Sequence, residues 1–201
     1  MAPIYRIAIF CDCVFYNCEF GNCNLESSVF NTCIINASMF HKANMIGVTF
    51  VRTTILDSML SDVDFSTSNW LDSVIIGSQG IYSKFYEARL TGTVMMDSVF
   101  NHSIFRGAGL ILFSATLTEL RDCDFSDVGL FDSMFADVDV RGSLFNDAFA
   151  TCVTSTKLCS DNQLVVELFN ACENTQIDKE LMGGFDTGGP DIDGGLEDTH
   201  V

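Results

Sequence analysis

Residues 11–40 read CDCVFYNCEFGNCNLESSVFNTCIINASMF, and every fifth position is large and apolar: Phe15, Phe20, Leu25, Phe30, Ile35 and Phe40. The residue two before each is small: Cys13, Cys18, Cys23, Ser28, Cys33 and Ser38. A helix repeats every 3.6 residues and a strand every 2.0, so neither buries a strict period of five. In both directions from this stretch the series persists, starting at Tyr5 and Phe10 and continuing through Met45, Phe50, Ile55, Leu60, Phe65, Trp70 and Ile75. It lapses at Gly80, resumes from Phe85 to Leu110, weakens at Ala115 and runs on to Phe145. A repeat this regular describes a solenoid, in which each block stacks on its neighbours to bury what it cannot bury alone.

Blocks such as DCVFY, NCEFG, DCDFS, DVGLF and GSLFN place a small residue, a variable one, a central Leu or Phe and then two outward residues. In this they resemble the pentapeptide repeat family, over roughly residues 3–150. The resemblance implies an all-β fold, a right-handed quadrilateral β-helix with one pentapeptide per side and four per coil. At a strand spacing of ~4.8 Å this gives about seven coils and a rod roughly 35 Å long. Bulky Phe113 in the small column, and Gly80 where a centre belongs, predict local distortion of the coil. The unbroken phase on either side predicts no long inserted loop.

The fives stop after residue 150. Ser160 and Gln163 then make a capping-box pattern ahead of the apolar Leu164, Val165, Leu168 and Phe169. The pattern predicts an amphipathic helix over residues 161–172. Its expected role is to cover the last coil; the alternative is dimerisation, because the resemblance implies that some members pair through their C-terminal ends. The chain thus divides into a solenoid (1–155), a helical cap (156–182) and an acidic, glycine-rich tail (183–201).

Of 201 residues, 27 are acidic and 10 basic, a formal charge of −17, and 48% are apolar. That apolar fraction excludes wholesale disorder, while no apolar run approaches the ~18 residues of a membrane span. The N-terminus, MAPIYRIAIF, shows no basic flank ahead of a long apolar stretch, so the expected compartment is the cytoplasm. An acidic chain repels nucleic acid and anionic membranes, which leaves a basic protein as the partner that charge favours. The acids concentrate late: Glu119, Asp122, Asp124, Asp127, Asp132, Asp137, Asp139 and Asp147 stand against only Arg121 and Arg141. Spread over about one and a half coils, or roughly 7 Å, that charge matches the one per ~1.7 Å of duplex DNA.

Together with the resemblance, which implies kinship with rods that engage DNA gyrase, the charge predicts a non-enzymatic acidic binding protein. It would be a partial DNA mimic on a basic DNA-binding protein such as DNA gyrase. The alternatives are a scaffold that assembles, as a homodimer, through an apolar face centred on Ile34, Ile76 and Met96, or a secreted bacterial effector. No cofactor, metal or catalytic site is expected. Cys13, Cys18, Cys23, Cys33 and Cys123 fall in the inward small column, where a thiol is a compact apolar filler. His41 and His102 read as surface residues without a carboxylate or thiol partner. Phe185 to Gly188 matches the FDTG of aspartic proteases, but that motif needs a second carboxylate inside a β-barrel, which nothing else in the chain supplies.

Overall fold

The computed structural model describes residues 7–163 and 165–169. Each pentapeptide forms one side of a four-sided coil, and successive coils stack in parallel. Three-residue strands occupy two of the sides: Ile9–Cys11 through Phe149–Thr151 make one eight-stranded sheet, and Val14–Tyr16 through Thr154–Thr156 make a second. Each strand pairs with the strand four blocks further along the chain, as Phe10 does with Phe30 and Ile35 with Ile55. The third and fourth sides are joined by single bridges at the same offset, beginning with Glu19 to Met39 and Asn24 to Asn44. Eight strands per sheet at ~4.8 Å give about seven coils and a rod of roughly 34 Å.

The corners explain the period. From residue 12 to residue 157, every position two after a centre has positive φ, between 45° at Asp57 and 74° at Gly142. An ordinary residue loses roughly 1–2 kcal/mol in that region, whereas Asp, Asn and Gly adopt it most readily. Seventeen of these thirty corners are Asp, Asn or Gly and none is Val or Ile, so the corner position selects its own residues. In most coils two corners also close a hydrogen bond from the small residue to the centre three before it, as in Ala43 N to Phe40 O (2.8 Å). Positive φ at the third residue is what a type II turn requires.

Small residues in the inward column are more than fillers. Many are Ser or Thr, and their hydroxyls join one coil to the next. Ser78 Oγ accepts from the Ser58 amide (3.1 Å) and donates to the Ile76 carbonyl (3.0 Å). Thr53 Oγ1 accepts from the Cys33 amide (3.4 Å) and donates to the Phe30 carbonyl (2.9 Å). These bonds occupy buried amides that the strand pairing leaves over, each of which would otherwise cost about 1–3 kcal/mol.

The centres form the core in four columns. On the fourth side Phe65, Phe85, Phe105, Phe125 and Phe145 stack ring on ring at 4.8–5.0 Å. On the first, Phe10, Phe30, Phe50 and Trp70 stack at 4.1–5.1 Å. Phe65, Phe100 and Phe125 are buried, whereas Phe20, in the first coil, is only partly so.

The distortions expected at Gly80 and Phe113 do not occur. Bridges run unbroken through Gln79, and the Gly80 amide still donates to the Val99 carbonyl at 2.8 Å. Phe100, one coil on, fills the space above Gly80. Phe113 is buried, as is the small Ala115, so the large and small columns exchange occupants within one block and the volume is conserved.

Residues 163 and 165–169 are helical. Val165 and Phe169 are buried on the last coil, with Phe169 edge-on to Phe135 (5.2 Å) and Phe145 (6.1 Å). The cap differs from the expected box. Asn162 begins the helix, its carbonyl accepting from the Val165 (3.1 Å) and Val166 (3.3 Å) amides. Ser160 Oγ accepts from the Asn162 amide instead (3.1 Å), and the Gln163 side chain donates forward to Glu167 (3.3 Å). Leu164, the end of the expected helix and the tail lie outside the described residues.

Candidate functional site

The eight acids of residues 119–147 do not share a side of the rod. Asp122, Asp127, Asp132 and Asp137 take four successive corners of one coil and so face four different edges. Asp147 stands one coil beyond Asp127 on the same edge. Glu119, Asp124 and Asp139 lie on flat sides, each immediately before a centre. Counting charge along the chain therefore overstates what one partner can meet, because a linear window wraps around the rod.

Cations one coil away or two residues along reduce the charge further. Asp139 lies 2.6 Å from both Arg121 and Arg141, and Arg121 reaches Glu119 at 3.8 Å. Asp124 pairs with Arg106 at 3.1 Å and Asp137 with Lys157 at 3.0 Å. Hydrogen bonds from Arg141, then Arg121, outweigh burial and hold the Asp139 carboxyl well below the usual range. Burial works to raise the Asp124 carboxyl, but hydrogen bonds from Ser126 and Arg106 prevail and lower it. Asp127, Asp132 and Asp147 make no ion pair among the described residues. The signal that finds these pairs in the sequence is an offset of two residues, of one full coil, or of two positions less than one coil. Similar offsets correct the reading of the histidines: His102 lies 3.7 Å from Asp122, and His41 lies 3.6 Å from Asp62.

Apolar residues come to the surface on both sheets. On the second, Val14, Tyr16, Ile34, Met96 and Met134 are exposed, while Leu56 and Ile76 are half-covered by their neighbours in register. The cap residues differ, since Val165 and Phe169 are consumed by the rod's own end and Leu168 is only partly exposed. Sequence reasoning misses the first sheet, where Ile111, Phe131 and Phe149 are exposed around Gly109 and Gly129. Those two glycines, one coil apart in the same outward column, are the signal that could have found it.

The two buried cysteines are shielded by the core. Burial pushes the Cys123 thiol up to about 12 and raises Cys33 as well, which disfavours the thiolate at both buried cysteines. Among the described residues no three His, Cys, Asp or Glu side chains converge to hold a metal. No described helix is long and apolar enough to cross a membrane.

No protein-family model and no curated protein matches the sequence. Solved structures do. One is QnrB1, a plasmid-mediated fluoroquinolone resistance protein, 16% identical, with 83% of this chain and 98% of that one covered at a TM-score of 0.49. Another is HetL from the cyanobacterium Nostoc sp. strain PCC 7120, a pentapeptide repeat protein involved in heterocyst differentiation regulation. It is 11% identical, covering 74% of this chain and 89% of that one at a TM-score of 0.30. Its five-residue register, four-sided coils and inward columns of centres and small residues make the chain an all-β, parallel β-solenoid, the architecture that its resemblance to the pentapeptide repeat proteins implies.

Proposed function

We propose that this protein is a non-catalytic binding rod that docks on a basic, nucleic-acid-binding protein, of which DNA gyrase is the type. The observation that carries the reading is the set of carboxylates at Asp127, Asp132 and Asp147, held without a cation partner among the described residues on rigid corners of the last coils. Fixed geometry spares the entropy of ordering long side chains, so these charges present a preformed anionic surface to lysines and arginines that otherwise hold phosphates. The mimicry is partial, because the charges follow edges of one end rather than tracking the whole rod as phosphates track a duplex. Free thiols in the described coils favour a reducing compartment such as the cytoplasm.

The test adds the protein to a gyrase supercoiling reaction beside a variant carrying Asp127→Asn, Asp132→Asn and Asp147→Asn. The wild-type protein should alter supercoiling, lose its effect with rising salt and be competed by DNA, while the variant is inactive. Equal behaviour of the two proteins, or no effect of either, overturns the reading. A second reading, a homodimeric scaffold, is favoured by the exposed Ile34 and Met96 on the second sheet. It predicts a salt-tolerant dimer in light scattering that Met96→Lys dissociates.

A further inference from the structure

We infer that the first-sheet face around Gly109 is the docking site for a basic protein segment anchored by one aromatic side chain, an inference that rests on the acidic-rod reading above. In the outward column of that sheet, Arg89, Gly109, Gly129 and Phe149 follow one another in register. A Cβ added at Gly109 would meet nothing within 4 Å, so the column is open at that position. Gly129 is not open in the same way. The Phe131 ring leans across from the neighbouring column, and a Cβ at Gly129 would lie 2.9 Å from Phe131 Cε2. Phe131 in turn meets Phe149 at 5.5 Å between ring centres.

The result is a notch one coil high. Its floor is Gly109, the Phe131 ring stands over Gly129 on one side, and Arg89 is the residue in register on the other, Arg89 and Gly129 lying two strand spacings, or about 10 Å, apart. That gap fits one flat ring, with the Phe131 ring to stack on. Stacked rings inside the rod repeat at 4.8 Å, the same pitch as the coils, so a guest ring would continue the spacing the fold already imposes.

Charge selects the rest of the segment. The face lies between two edges, one carrying Glu87, Asp127 and Asp147 and the other Asp132. Three of these four are the carboxylates that carry the reading above. A mostly apolar face rimmed by acids that make no ion pair among the described residues repels an anionic polymer and favours lysines and arginines on either side of the anchor. The occupant is therefore a basic, aromatic-bearing protein segment. DNA, an anionic lipid or a second copy of this acidic chain would each bring like charge to the rim.

The experiment uses the full-length protein and two fluorescein-labelled peptides, KRWKRK and KRSKRK, in anisotropy titrations across a salt series. Gly109 needs no positive φ, and its outward position opens to solvent, so Gly109→Leu fills the notch without disturbing the coil; an unchanged circular dichroism melt verifies this. KRWKRK should bind the wild-type protein at least tenfold more tightly than KRSKRK, and Gly109→Leu should erase that tenfold difference. Asp127→Asn with Asp147→Asn should weaken both peptides and flatten the salt dependence. Equal affinity for the two peptides, or a preference that survives Gly109→Leu, overturns the notch while leaving salt-dependent binding, and with it the acidic-rod reading, intact. Failure of both peptides to bind at low salt overturns the two together. Self-association abolished by Gly109→Leu would show instead that the face belongs to a second copy.

Discussion

Restoring the repeat at Gly80 should weaken the protein. By the pattern alone, Gly80→Leu supplies a missing large centre; burying a leucine gains about 2 kcal/mol, and removing a glycine from the unfolded chain adds up to ~1 kcal/mol. The structure reverses the sign. A Cβ at residue 80 would sit 2.9 Å from Phe100 Cζ and nearer still to Cε1 and Cδ1, so the space is already taken by a ring that is fully buried. Nine in ten real Cβ contacts are longer than 3.4 Å. Phe100 cannot retreat, because Phe85 packs edge-on against it at 5.8 Å between ring centres. Overpacking of this kind costs about 1–3 kcal/mol, and the leucine's outer atoms place the cost at the upper end. For a chain of this length we expect a fall in Tm of about 4–12 °C, read by far-ultraviolet circular dichroism. Phe100→Ala alone should cost about 3–5 kcal/mol, and the double variant should lose less than the sum of the singles by more than ~1 kcal/mol. A Gly80→Leu protein that melts at or above the wild type, or strict additivity, would show that Phe100 does not occupy the missing centre.

Ser103→Ala should destabilise by about 1–3 kcal/mol in the same melt, because Ser103 Oγ accepts from the buried Ser83 amide (3.1 Å) and donates to the Gly80 carbonyl (2.9 Å). Gly142→Ala should cost about 1–2 kcal/mol, since residue 142 holds a φ of 74° and a Cβ there would press on Asp122, whose Cγ would be 3.1 Å away; an unchanged Tm would count against the corner argument. Asp139→Asn should cost about 1–2 kcal/mol at pH 7. Because Arg141 lowers the folded-state carboxyl, that stabilisation is present above the ordinary value near 4 and is lost as pH falls toward the depressed folded one; a cost that does not shrink below pH 4 contradicts the pairing. Iodoacetamide at pH 8 should modify exposed Cys11, Cys23 and Cys159 in the native protein and spare Cys123, whose thiol is raised to about 12, as peptide mapping would show.

Much of the fold was legible because the solenoid is nearly one-dimensional. Phe65, Phe85, Phe105 and Phe125 stack because each lies four blocks after the last, and that offset can be counted along the chain. The corner preference was legible too, had the aspartates been aligned at two after each centre; Asp122, Asp127, Asp132 and Asp137 meet a backbone requirement before they serve any partner. Function was less legible, since a surface depends on which residues share a side and on what stands one coil above or below. Arg106 and Lys157 neutralise Asp124 and Asp137 from outside the acidic stretch of residues 119–147.

The period, the four inward columns and the excess of acid were all present in the order of the amino acids, because each is a property of position along a chain that returns to the same side with every fourth block. How neighbouring coils share space and charge came from the folded molecule alone. Phe100 fills the room left by Gly80, Arg121 and Arg141 converge on Asp139, and Phe131 leans over Gly129 while Gly109 stays open. The reason is physical: period sets where a side chain starts, but its direction, and the volume or charge it meets, are set by contacts between coils.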